Sequence, residues 1–196
     1  MFWRKKRHKA SKGYTYYEFM TLFPFCSDER KEELLAILQS EPCPMFINGK
    51  KVPEDLNGVT YGLLDDLHVD ASSGLDPISN CLQTLMGFTN AEIMMLPVEE
   101  VYGFRNFITR ELERINKLFE DIKVNYSSEE ISAGVNELNF GSFGVLDWYA
   151  KRMGIKNQND VRDVAWVRIY TCMLNDTQMN NYERRLNKQY TKGLKK

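Results

Sequence analysis

A chain of 196 residues with 43% hydrophobic and 27% charged side chains has enough apolar matter for a buried core and the charge of an ordinary water-facing globule. No stretch approaches the roughly 20 consecutive apolar residues of a membrane span. The basic start is not followed by an apolar run of signal-peptide type, so the sequence reads as a cytoplasmic protein without a membrane partner.

The net charge of −1 conceals an asymmetry. Arg4, Lys5, Lys6, Arg7, Lys9 and Lys12 give residues 1–13 six positive charges and no acid, and Lys188, Lys192, Lys195 and Lys196 give residues 188–196 four more, which leaves −11 for the span between. Such ends suit contact with something acidic. Residues 1–13 read as a flexible basic arm and 191–196 as a basic tail, flanking one helical domain over 14–190.

Tyr14, Tyr16, Tyr17, Phe19, Phe23 and Phe25 crowd the start of the domain. Rings beside a basic arm are compatible with base stacking. Without a recognised nucleic-acid module, core packing of a short helix with Tyr17, Met20 and Leu22 inward is the preferred reading. Ser27 followed by Asp28 and Glu29 opens the next helix, whose face is Leu34, Leu35, Ile37 and Leu38. Pro42 and Pro44 require it to stop near Ser40. Asn48-Gly49 between short apolar runs predicts a hairpin turn, and a two-stranded ribbon of that size has to lean on helices.

Thr60 is placed to cap a short helix holding Leu63, Leu64 and Leu67. Asp65, Asp66 and Asp70 lack the alternation, glycine and closing glutamate of a calcium loop and read as a solvated face. After a loop over 70–74, Asp76-Pro77 starts a helix with Ile78, Cys81, Leu82, Leu85 and Met86 inward, and Thr89 caps a short turn. Pro97-Val98-Glu99-Glu100 begins a long helix reaching Ile122.

The last third, 127–190, reads as a closing unit of three helices. Ser127 caps the first, which continues through Ile131, Val135 and Leu138. Gly141 is expected to end it and Ser142 to cap the second, which carries Leu146, Trp148, Tyr149 and Met153. Asn157 or Asn159 is expected to start the third. Its stripe of Val161, Val164, Ala165, Ile169 and Cys172 thins after Asp176 to an amphipathic run of Met179, Tyr182, Leu186 and Tyr190.

Tests for chemistry come back empty. Cys26, Cys43, Cys81 and Cys172 are scattered, with no C-x-x-C pair, and favour free thiols. His8 and His68 are isolated, so no zinc spacing exists. Gly141-Ser142-Phe143-Gly144 departs from the G-x-S-x-G nucleophile elbow, and no phosphate-binding glycine loop is present. The expectation is therefore a protein without catalytic residues, cofactor or metal, working by binding.

The order of motifs from Val52 to Tyr190 resembles that of small phage proteins of the tail assembly chaperone type, from phages and prophages of Bacteroides-like hosts. The residues concerned are Leu56-Asn57-Gly58-Val59-Thr60-Tyr61-Gly62, Leu138-Asn139-Phe140-Gly141, Asp160-Val161 ahead of an apolar helix, and Tyr182-Glu183-Arg184-Arg185-Leu186. The resemblance implies a non-enzymatic helical protein that binds an elongated partner, such as a tape-measure protein, during virion assembly. The arm and the aromatic segment to Phe25 fall outside it.

The sequence thus predicts a mainly α fold of six to eight helices with one small β-hairpin. The candidate partner-binding residues are Trp148, Tyr149, Met179, Tyr182, Leu186 and Tyr190, which would capture apolar helical segments of another protein. The alternatives are a nucleic-acid-binding protein using Arg4, Lys5, Lys6, Arg7, Lys9 and Lys12, or a structural component of a virion neck or tail.

Overall fold

The computed structural model describes residues 13–72 and 77–193. The basic arm residues Arg4, Lys5, Lys6, Arg7, Lys9 and Lys12, with Phe2, Trp3 and the last residues of the tail, lie outside the described residues.

The fold is mainly α, with one small hairpin. Among the described residues there are nine α-helices: α1 Tyr16–Leu22, α2 Asp28–Gln39, α3 Tyr61–Ser72, α4 Pro77–Met86, α5 Asn90–Met95, α6 Val98–Glu120, α7 Ser128–Ser132, α8 Gly141–Met153 and α9 Trp166–Gly193. Nine already exceed the six to eight expected, and short 3-10 turns at Phe23–Phe25, Val135–Glu137 and Gln158–Asp163 add to them. The ribbon is β1 Phe46–Ile47 paired antiparallel with β2 Lys50–Lys51. No described helix is long and apolar enough to cross a membrane.

The described residues form two compact units. The first comprises the chain up to Asp55 together with Leu67–Glu113, and the second comprises Leu56–Asp66 together with the chain from Arg114 onward.

In the first unit, Thr15 caps α1. Its hydroxyl accepts from the Glu18 N–H while the Glu18 carboxylate accepts from the Thr15 N–H, a reciprocal capping box. Tyr16 and Phe19 are the buried residues of α1, and Tyr17, Met20 and Leu22 face outward, the reverse of the face expected from the sequence. The Tyr16 N–H donates to the Leu96 carbonyl and the Val98 N–H to the Tyr14 carbonyl, which ties α1 to the start of α6.

Asn48 (φ 45°) and Gly49 (φ 78°) supply the two left-handed positions that a tight hairpin turn demands. Ile47 is buried, and the Lys50 ammonium donates to the Met86 and Gly87 carbonyls at 3.0 and 2.9 Å. The ribbon thus closes the carbonyl end of α4, where a cation is favoured. Asn106 of α6 donates to the Leu38 and Glu41 carbonyls and finishes the end of α2.

Candidate interaction surface

The second unit holds the candidate residues, and its frame explains their placement. Trp166 at the start of α9 is 1% exposed, and its indole N–H donates to the Leu56 carbonyl at 2.7 Å. Phe119, Trp166 and Tyr170 pack as a ring cluster with centroids 5.4–6.2 Å apart, within the range where aromatic pairs attract. The Tyr61 N–H donates to the Val164 carbonyl and the Trp166 N–H to the Val59 carbonyl. These extended contacts at 164–166 are why α9 begins at Trp166. Asn157 caps the preceding 3-10 turn instead of starting α9.

Arg162 locks this join. Its guanidinium donates to Asp65 at 3.1 Å, to Asp66 at 2.7 Å and to the Gly62 carbonyl at 3.2 Å. Asp65 and Asp66, expected from the sequence to lie on a solvated face, hold an arginine. Among the described residues, no group of three or more His, Cys, Asp or Glu could hold a metal ion. Tyr61 beside them has its phenol pushed up to about 12, chiefly by burial, with Asp65 raising it further and Arg162 opposing.

Three contacts pin α9 along its length. Arg152 of α8 makes a two-pronged pair with Asp176 at 2.9 and 3.1 Å. Asn181 donates to the Lys123 carbonyl and accepts from the Asn125 N–H. Arg184 pairs with Glu130 of α7 and lies over the Tyr126 ring. Arg184, with the capping contacts of Ser127, holds the Glu130 carboxyl down at about 2.

The remaining side of the C-terminal half of α9 carries apolar groups in water. Met179, Tyr182 and Tyr190 are 58%, 51% and 64% exposed, and Leu186 is half-buried. Spacings of three and four place these four on one stripe of the helix, roughly 16 Å long at 1.5 Å per residue.

Trp148 of α8 is half-buried and in ring contact with Tyr149. Tyr149 is 1% exposed and belongs to the core, because the inward side of α8 is Leu146, Tyr149 and Ala150. Tyr149 therefore drops out of any surface.

Sequence reasoning missed Ile131, Leu138, Phe140 and Phe143, all more than half exposed. α7 stops at Ser132, Gly134 turns left-handed (φ 83°) and only a 3-10 turn follows, so the single face expected through Leu138 never forms. Gly141 is the first residue of α8 and not the end of the helix before it, with Phe140 at the cap and no side-chain cap from Ser142. The signal was present in Gly134, whose left-handed conformation ends the helical run before Leu138.

Compared with known proteins, the chain matches no family model, no curated protein and no solved structure.

Proposed function

We propose that the protein works by binding, not catalysis, and holds apolar helical segments of another protein in the manner its likeness to tail assembly chaperones implies. The observation that carries this reading is the α9 stripe: a helix pinned at Asp176, Asn181 and Arg184 still presents Met179, Tyr182 and Tyr190 to water. A fixed helix loses little freedom when a partner helix packs along it, which favours association.

Burying the exposed halves of three such side chains is worth on the order of 3 kcal/mol. That is less than the cost of immobilising a partner. The partner therefore has to engage more than the stripe, and the exposed Phe140 and Phe143 are the further anchors. A partner long enough to use both suits the elongated virion protein expected from the resemblance, which supports a role in virion morphogenesis.

The test is a pull-down from the cells that make the protein, with full-length chain and a form lacking residues 1–13, washed at low and high salt. Recovery by both forms of one protein rich in long helices, surviving high salt, is expected. Recovery of nucleic acid alone, lost with the arm or with salt, would transfer the function to Arg4–Lys12 and overturn the proposal.

A further inference from the structure

A cavity of about 250 Å³ opens in the first unit between α3, α4 and α6. Its walls are Leu67, Ile78, Cys81, Ile108 and Leu112, each no more than 6% exposed. Arg105 and Thr109 complete the lining. Spacings of three, four and seven residues put Arg105, Ile108, Thr109 and Leu112 on one stripe of α6, so a single helix face supplies both apolar wall and polar groups. Protein interiors leave few voids larger than a water molecule. An apolar cavity of roughly 150 Å³ already takes benzene, so this one has room for a larger apolar group.

The two polar residues mark its solvent side, since Arg105 is half-buried and Thr109 exposed. Both are unengaged. The Arg105 guanidinium makes no hydrogen bond or ion pair with any described residue; its contact is the Tyr102 ring, whose centroid is 5.7 Å from the guanidinium carbon. The Thr109 hydroxyl likewise has no partner among the described residues. A guanidinium carries five N–H donors in a fixed fork, and here the fork stands one helical turn from a second donor at the edge of apolar walls. Arg105 and Thr109 also line an open cleft of about 470 Å³, together with Gln39, Ser40, Asn106 and Arg110. Glu41 and Glu113 share that cleft, which is therefore of mixed charge, whereas Arg105 is the charged residue of the apolar cavity.

A planar fork of donors matches a carboxylate in both geometry and charge. A neutral head would leave the cation unanswered, and a cationic head would be repelled. We infer that the cavity binds a small apolar carboxylic acid of about six to nine carbons. Its chain lies among Leu67, Ile78, Cys81, Ile108 and Leu112, and its carboxylate accepts from Arg105 and Thr109. This site is separate from the α9 stripe, which belongs to the second unit.

The test titrates the full-length protein with octanoate, octanol and octylamine, followed by calorimetry and methyl NMR. Octanoate should bind about tenfold more tightly than octanol, the worth of hydrogen bonds to a charged group, and octylamine more weakly than octanol. Affinity should rise roughly fourfold per CH2 from butanoate to octanoate. The methyl resonances of Leu67, Ile78, Ile108 and Leu112 should shift, and those of Met179 and Leu186 should stay. Arg105→Gln should lower octanoate to the affinity of octanol and leave octanol unchanged. Equal affinity for octanoate and octanol in the native chain would overturn the assignment, as would shifts centred on Met179 and Leu186 or the absence of saturable binding by octanoate. Undiminished octanoate binding in Arg105→Gln would also overturn it. The head-group series is read on the native chain, so it decides the matter whether or not the variant folds.

Discussion

Gly62→Ala sets two effects of opposite sign against each other. Gly62 is the second residue of α3, and a glycine-to-alanine change in an unobstructed helix stabilises by roughly 1 kcal/mol. Here a Cβ would lie 2.8 Å from Arg162 Cβ and 3.0 Å from the Arg162 carbonyl oxygen, well inside the roughly 3.5–4.0 Å of a comfortable contact. Neither atom is the free end of a side chain. Arg162 is further held by Asp65, Asp66 and the Gly62 carbonyl, so moving it loosens those bonds. Overpacking of this kind costs about 1–3 kcal/mol, and with the helix gain of roughly 1 kcal/mol set against it the clash should win with a net loss of up to about 2 kcal/mol.

The assay is urea unfolding followed by tryptophan fluorescence in a Trp3→Phe background, where Trp148 and Trp166 report only on the second unit. Gly58→Ala serves as control, since nothing lies within 4 Å of its added Cβ and its φ is not left-handed. It should be neutral or slightly stabilising. A Gly62→Ala chain as stable as the native one, or more so, would refute the close approach of 62 and 162 and with it the join that starts α9.

Trp166→Phe removes the donor to the Leu56 carbonyl and part of the ring cluster, and should cost about 2–3 kcal/mol in urea unfolding monitored by circular dichroism. Tyr61 has a folded-state pKa raised to about 12 from 10.0, so its contribution is fully present below pH 10 and is lost as pH rises through 12. An absorbance titration at alkaline pH should show a last tyrosine step that vanishes in Tyr61→Phe. Glu130 is depressed to about 2 from 4.5, so its contribution is present above 4.5 and is lost as pH falls through 2. Carboxyl NMR should place its midpoint near 2 in the native chain and back toward 4.5 in Arg184→Ala.

Much of the fold is legible in local sequence because local physics sets it. Thr15, Ser27, Thr89 and Ser127 each sit at a helix start with a hydroxyl that accepts from the first turn. Asn48-Gly49 fixes the hairpin because few other residues adopt both turn positions. Where the reading slipped, a distant partner decided. The phase of α1 depends on Tyr14 and Tyr16 bonding to Val98 and Leu96, some 80 residues on. The start of α9 depends on Val59 and Tyr61. Periodicity carries no information about either.

The candidate surface was legible in the same uneven way. Met179, Tyr182 and Tyr190 are exposed as their spacing on a polar helix suggests. Tyr149 is not, because one residue separates the half-buried from the buried side of α8. The resemblance segment Leu56–Gly62 has a physical role that its spelling alone does not disclose: Leu56 receives the Trp166 indole, Val59 and Tyr61 pair with 164–166, and Gly62 makes room for Arg162.

The most direct measurement is calorimetric titration of a helical segment of the captured partner into the full-length chain, beside Met179→Ser/Tyr182→Ser/Tyr190→Ser. These side chains face water, so the variant should fold as the native chain does. The expected result is a negative heat-capacity change, the mark of apolar burial, with affinity weakened by at least about tenfold in the variant. Equal affinity in both chains, or binding that disappears only with salt, would contradict a partner held along α9.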